Sequence, residues 1–330
     1  MNGHGENPQL PGNGLIAILG AGSLGQLWAG YLPAGKVAFI PRAGCTGEPG
    51  TESLDYRLER FDGATLPVTV PWLAAPAETP SVLLVTTKAG DTLSALAPNL
   101  ASFSPDTPLV LFQNGMGSQQ AVAERWPDRP ILAATTTEGA NRPKPGYTVH
   151  AGKGETWIGA LTGSASSLLN PVVKTLAASG LTIHPEADIH HRLWDKLLVN
   201  AGINAFTAIL DCRNGDILNH PFYRKHIDDL CAEIAAVLAA EGCQPLTPKA
   251  IRRRIEAVAR STANNTSSML SDRQQGRTTE IEFINGYIAR RGKAQGINVP
   301  VNQMLTRQVQ QLSAETKAGN PPNHTRPGAS

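Results

Sequence analysis

LIAILGAGSLGQLWAGYL, residues 15–32, is the stretch whose reading decides the fold. Its first five residues form a short apolar run of buried-strand character. The run enters Gly20-Ala21-Gly22-Ser23-Leu24-Gly25, a G-x-G-x-x-G turn, and continues into a helical pattern with Leu24, Leu27, Trp28 and Tyr31 on one side. Each glycine has a mechanical job: Gly20 makes the tight turn, Gly22 lets a pyrophosphate approach the backbone, and Gly25 lets helix pack on strand. The helix start adds free N–H groups and a partial positive charge. Such a turn on its own also occurs in ordinary loops. Between a strand and a helix near the chain start, it points to a dinucleotide site.

The pattern repeats outward from there. Residues 36–40 predict a second strand ending at Pro41-Arg42, 44–53 a Gly-, Thr- and Pro-rich loop, and 66–70 an alternating edge strand. Residues 81–87, SVLLVTT, predict a strand buried on both faces. A helix with Leu93, Leu96, Ala97 and Leu100 in phase follows. Residues 108–112 form another buried strand, closed by Gln113-Asn114-Gly115-Met116-Gly117, and 131–137 the next. Strands alternating with helices indicate a parallel sheet covered on both sides. Residues 147–159 and 181–184 read as further strands flanking a helix at 166–178. From about Asp188 strand signals stop, and helical patterns run over 191–210, 221–241, 248–263 and 279–295. The expected fold class is an α/β Rossmann-type N-terminal domain followed by an all-α C-terminal domain. The domain bounds are 14–187 and 188–315, between a disordered lead-in (1–13) and a disordered tail (316–330).

Length and composition set the outer bounds. A chain of 330 residues, 41% hydrophobic and 17% charged, suits two globular domains with sizeable cores. A net charge of +2 gives no field that argues for nucleic acid or anionic membranes. Cys45, Cys212, Cys231 and Cys243 show no C-x-x-C pair and no zinc spacing, so free thiols are expected and no metal site. No signal peptide and no membrane-spanning run are read from the sequence, and a cytoplasmic location is expected.

Several polar residues stand where chemistry would need them. Arg42 ends the second strand, where an NAD-selective fold places Asp or Glu against the ribose 2′-hydroxyl. An arginine suits a 2′-phosphate and so NADP; a plain surface arginine is the alternative. Lys88 and Asn114 each end a buried strand, at the edge of an open α/β sheet where ligands sit. A helix-start lysine and an Asn-Gly turn are the bland readings of the two. On the helix over 191–210, Lys196, Asn200, Asn204 and Thr207 fall within an arc of about 80° on an otherwise apolar cylinder. A single polar stripe there reads as the lining of a wet cavity, with one solvent-exposed face as the alternative. A lysine so placed can donate a proton and stabilise a developing alkoxide. Thr279 and Glu282 have capping-box spacing, which puts Glu280 in a first helical turn.

Taken in order, these residues resemble the ketopantoate reductase (2-dehydropantoate 2-reductase) family over about residues 15–305. The resemblance rests on Gly20 to Gly25, Val85-Thr86-Thr87-Lys88-Ala89, Gln113 to Gly117, and Thr135-Thr136-Thr137. It continues through Leu193-Trp194-Asp195-Lys196-Leu197 with Asn200 and Asn204, then Asn214-Gly215, Ser267-Ser268-Met269 and Thr279-Glu280-Ile281-Glu282. It implies NADPH-dependent reduction of ketopantoate to (R)-pantoate in pantothenate biosynthesis, in a cleft between the two domains. By that resemblance Lys196 is the general acid. Gly20, Ala21, Gly22, Ser23, Leu24, Gly25, Arg42, Lys88, Asn114, Ala140 and Glu280 match cofactor positions. Asn114, Asn200, Asn204, Asn214 and Ser268 match substrate positions. The implied partner is a small 2-oxo acid, and the implied state is monomer or homodimer. Gly90-Asp91 departs from the family pattern, as does the unreadable stretch between Arg42 and Leu66. The alternatives are an NADPH-dependent reductase of another branched 2-oxo acid and a non-catalytic NADP-sensing protein.

Overall fold

The computed structural model describes residues 9–41, 52–73, 79–317 and 319. Arg42 and Cys45 lie outside the described residues, as do most of the expected lead-in and tail. The chain divides into two compact units: Met1–Gln113 with Ser118–Arg192, and Asn114–Gly117 with Leu193–Ser330.

The first unit runs β1 (Ile16–Leu19), α1 (Ser23–Tyr31), β2 (Val37–Ile40), β3 (Ser53–Glu59), β4 (Thr65–Pro71), β5 (Val82–Val85), α2 (Thr92–Leu100) and β6 (Leu109–Leu111). It continues with α3 (Ser118–Arg125), β7 (Ile131–Thr136), β8 (Gly139–Lys144), β9 (Tyr147–Gly152), β10 (Thr156–Ala160), α4 (Leu169–Leu176) and β11 (Ile183–Pro185). Seven strands form one sheet in the order β11-β10-β7-β6-β5-β1-β2. The five strands from β7 to β2 are parallel, β10 runs antiparallel to β7, and β11 lies parallel to β10. The chain leaves β1 for β2 on one side and then crosses to β5 on the other. The carboxyl ends of β1 and β5 therefore flank a switch point, where such sheets bind ligands.

Period-two burial explains why these strands are apolar throughout. Ile16, Ile18, Val82, Leu84 and Val110 pack one face, with Trp28 of α1 among them. Ala17, Leu19, Leu83, Val85 and Leu111 pack the other, against Leu96 of α2 and Val122 of α3. Leaving either face in water would expose a full row of these side chains.

A second sheet in the same unit has the order β4-β3-β9-β8. Its Tyr56 and Leu58 join the core on the α1 side, and a Cβ on Gly30 of α1 would sit 2.6 Å from Leu58 Cδ2. The single strand expected over 147–159 is thus two strands. Gly152 to Thr156 carries the chain from one sheet to the other, a break that alternation alone does not reveal. β3 and β8 were not anticipated either: their exposed, charged faces (Asp55, Arg57, Arg142, Lys144) dilute the apolar signal.

In the second unit lie α5 (Ile189–Leu210), counted there from Leu193, α6 (Pro221–Ala240), α7 (Pro248–Ser261), α8 (Ser268–Gln274), α9 (Asn285–Ala294) and α10 (Pro300–Lys317). Helix α5 is the axis of this unit, with Leu193, Trp194, Leu197, Leu198, Ile203 and Phe206 all buried. Gly202 permits its close approach to α7, since a Cβ there would lie 2.5 Å from Ile255 Cδ1. A buried polar chain also reaches it. Asn285 Nδ2 donates to the Ala201 carbonyl at 3.2 Å and to Asn302 Oδ1 at 3.1 Å. Asn302 Nδ2 in turn donates to Glu233 Oε2 at 2.8 Å. The Glu233 carboxylate also accepts the backbone N–H groups of Val301 and Asn302, capping the start of α10 from outside.

The helix expected over 279–295 begins only at Asn285, after a 3-10 turn at Ile281–Phe283. The Thr279–Glu282 capping box therefore does not form. Glu280 precedes the turn, and Ile284 (φ −111°, ψ −95°) interrupts helical geometry before α9. Among the described residues no helix is long and apolar enough to cross a membrane, and Cys212, Cys231 and Cys243 form no disulfide there.

Candidate active site

The glycine turn has the shape its sequence demands. Gly20 adopts φ +113°, and a Cβ there would lie 2.8 Å from the Thr87 nitrogen. A Cβ on Gly25 would fall 2.0 Å from the Gly20 carbonyl oxygen, so only hydrogen fits between helix and strand. Around Gly22 there is open space: a Cβ would meet nothing of the described residues within 4 Å. Gly22 is the N-cap of α1, without a side-chain cap and without an acidic residue in the first turn. Ser23 and Leu24, both partly exposed, begin the helix. Bare backbone N–H groups beside open space suit a pyrophosphate, and a side-chain carboxylate there would compete with it.

Two neighbours hold the turn in place. The Thr86 hydroxyl at the end of β5 donates to the Gly20 carbonyl at 2.7 Å. Gln26 Nε2 donates to the Ala21 carbonyl at 3.0 Å, and the Gln26 carbonyl accepts from Tyr56 at 2.6 Å. Gln26 was not singled out from the sequence, because its partners in β3 and β9 are remote along the chain. Lys88, partly buried, precedes a 3-10 turn at Ala89–Asp91, and its carbonyl accepts from Asp91 N and the Thr92 hydroxyl. Ala140 lies in β8, opposite His150.

The second unit gathers another group of the expected residues. Asn114, at the head of the Asn114–Gly117 segment, donates from Nδ2 to Glu280 Oε2 at 3.1 Å. Met116 N bonds the Phe283 carbonyl at 2.8 Å. Gly115 (φ +78°) would place a Cβ only 2.1 Å from that same oxygen. The segment is thereby locked onto the 280–283 stretch. Glu280 in turn acts on Lys196. Burial of the Lys196 amine lowers its pKa from 10.5 to about 8, against the pull of the Glu280 negative charge, which favours the ammonium.

The rest of the polar stripe turns inward. Asn200 is half-buried, Asn204 is buried, and neither side chain is bonded to another described residue. Thr207 is fully buried, donates to the Asn204 carbonyl and pairs with Ser267 Oγ at 2.7 Å. Ser267 caps α8 by accepting from Leu270 N. Ser268 is exposed. Asn214 is buried, with Nδ2 on Thr262 Oγ1 at 3.0 Å and Oδ1 sealed without a partner among the described residues.

Residues 16–163 match the family described as Ketopantoate reductase PanE/ApbA, and residues 188–313 match Ketopantoate reductase PanE/ApbA C terminal. The chain belongs to the ketopantoate reductase family. Membership makes it an oxidoreductase, as the series of motifs implied. A 2-dehydropantoate 2-reductase from Archaeoglobus fulgidus is 34% identical to this family member over 300 residues, 88% of this chain and 95% of its own. One from Vibrio cholerae is 34% identical over 305 residues, covering 90% and 97%. A PanE/ApbA family ketopantoate reductase from Ralstonia eutropha JMP134 superposes with a TM-score of 0.79 at 26% identity, over 92% of this chain and 99% of that one. A D-mandelate dehydrogenase solved with NADH and anilino(oxo)acetate shares the fold, with a TM-score of 0.79 at 23% identity over 91% and 98%.

Proposed function

We propose that this ketopantoate reductase family member reduces 2-dehydropantoate to (R)-pantoate with NADPH, and that Lys196 is the proton donor. The observation that carries this reading is the Lys196 amine, tuned by burial to about 8 and accompanied by Glu280. An acid of that strength is still largely protonated at neutral pH, yet gives its proton up far more readily than an ordinary lysine. A sensor without turnover has no use for such a group.

The reduced nicotinamide, when bound, supplies the hydride. The chain's own residues do the rest. Gly20 to Gly25 hold the pyrophosphate, with Lys88, Ala140 and Glu280 as further cofactor contacts, and Arg42 is assigned to the 2′-phosphate. Lys196 protonates the substrate's 2-oxo oxygen and stabilises the charge that develops there. Asn200 and Asn204, with amides not committed to other described residues, hold the hydroxyl and carboxylate of the 2-oxo acid, and Ser268 and Asn114 complete the set. Asn214 supports the loop that follows α5 through Thr262. The partner in this reading is a small molecule, and the protein acts as a monomer or a homodimer.

The test is consumption of NADPH, followed by its near-ultraviolet absorbance, with 2-dehydropantoate beside a panel of other branched 2-oxo acids and with NADH in parallel. The reading predicts the highest kcat/KM for 2-dehydropantoate with NADPH. A higher value for another 2-oxo acid would reassign the substrate, and binding of NADPH without turnover of any would make the protein a sensor.

A further inference from the structure

Arg142 was not among the residues singled out from the sequence. It lies in β8, the edge strand of the four-stranded sheet. The register of β8 on β9 is irregular, and one break falls between Asn141 and Lys144, the interval that contains Arg142. Such irregularities in edge strands re-aim side chains out of the alternating pattern. Here the guanidinium reaches the glycine turn, where Nη1 donates to the Ala21 carbonyl at 3.2 Å.

Nothing structural requires that bond. The Ala21 carbonyl already accepts from Gln26 Nε2 at 3.0 Å, and the Arg142 side chain is exposed. Among the described residues Arg142 makes no ion pair. Other arginines of the chain do: Arg254 engages both oxygens of Asp195, and Arg290 pairs with Glu282. A cation beside the start of α1 opposes the helix dipole. Two positive features, the arginine and the uncapped first turn of α1, therefore meet where no carboxylate of the first turn offsets them. An anion between them would reverse the sign of that interaction. A guanidinium, with its planar fork, is well matched to phosphate oxygens.

We propose that Arg142 is a ligand of the dinucleotide's pyrophosphate, a cofactor-holding residue that the second sheet contributes to the glycine turn. This assignment rests on the nicotinamide-dinucleotide reading above. Because the pyrophosphate is common to both nucleotides, Arg142 acts on affinity for the dinucleotide and not on the choice between NADPH and NADH.

The experiment measures dissociation constants for NADPH and NADH by fluorescence titration of the wild-type protein, R142Q and R142K, with thermal melts in the absence of nucleotide. R142Q should weaken both nucleotides by the same factor, about tenfold, as expected for one charge-assisted hydrogen bond at a partly solvated site. R142K, keeping the charge without the fork, should fall between, and the melts should coincide. Unchanged affinities in R142Q overturn the proposal. So does a loss confined to NADPH, which would assign the guanidinium to the 2′-phosphate, and so does a lowered melting temperature of R142Q, which would make the residue structural. Wild-type protein that binds neither nucleotide overturns the dinucleotide reading, and this one with it. Wild-type binding with R142Q unchanged overturns the role of the arginine alone.

Discussion

Replacing Glu280 by Gln removes one negative charge and leaves an acceptor for Asn114 Nδ2, which now donates to Glu280 Oε2 at 3.1 Å. The substitution isolates the electrostatic part of what Glu280 does. Burial brings the Lys196 amine down from 10.5 to about 8 despite the Glu280 charge. At about 1.4 kcal/mol per pH unit, that lowering corresponds to about 3 kcal/mol of net preference for the neutral amine. Glu280 is the group that limits it, so its loss lowers the Lys196 pKa further, and about one unit is the low end of what a nearby opposite charge contributes. In the proposed mechanism reduction needs the ammonium. The wild-type kcat/KM for reduction should therefore be level at lower pH and fall above about 8. In Glu280→Gln the fall should begin about one pH unit lower. The measurement is the pH profile of kcat/KM for the 2-oxo acid at saturating NADPH, where the position of the fall, not its height, is read. An unmoved profile in Glu280→Gln, or a wild-type fall near the ordinary lysine value, would refute the reasoning. The sign for stability follows from the same amine. Between pH about 8 and 10.5 the unfolded chain binds more protons at Lys196 than the folded one, so the native state gains stability as pH rises through that window.

Lys196→Ala should lower turnover by roughly two to four orders of magnitude, the range for a lost general acid, while nucleotide titration still gives binding. Turnover near the wild-type level would remove Lys196 from that role. Gly22→Ala and Gly25→Ala should part company. The first adds a methyl group to open space and should weaken NADPH binding at an unchanged melting temperature; the second drives a Cβ to 2.0 Å from the Gly20 carbonyl and should lower the melting temperature itself. Glu233→Gln sets an amide NH₂ among the donors of Val301 and Asn302. Urea unfolding should show a loss of about 1–3 kcal/mol, the cost of leaving a buried polar group unsatisfied.

What was legible beforehand depended on how local the cause was. β1, the glycine turn and α1 form one continuous stretch, and the pattern that marks them is written within a few positions of each residue. The buried parallel strands were equally plain, because a sheet covered on both faces leaves no polar register to confuse the pattern. β3 and β8 were hidden for the opposite reason: one face of each meets water, and the partner β9 lies far along the chain from β3. The start of α9 was misread because Thr279 and Glu282 carry the spacing of a cap, while Ile284 takes a conformation that no local rule foretells. In the candidate site, the polar stripe of α5 was visible as periodicity. That Thr207 pairs with Ser267, sixty positions away, was not. Gln26 and Arg142 escaped notice because their contacts are made by folding, not by spacing.

The amide of Asn285 against the Ala201 carbonyl has a consequence for α5 as a rotor. A cylinder greasy over most of its circumference has little reason, from oil-like contacts alone, to prefer one azimuth about its own axis, since apolar attraction has no direction. A hydrogen bond does have one. By gripping the carbonyl one residue beyond Asn200, the chain Glu233–Asn302–Asn285 works as a keyway, and a turn of α5 about its axis would break the bond from the buried Asn285 amide. The bearing of the lysine is thus set by asparagines that never touch it.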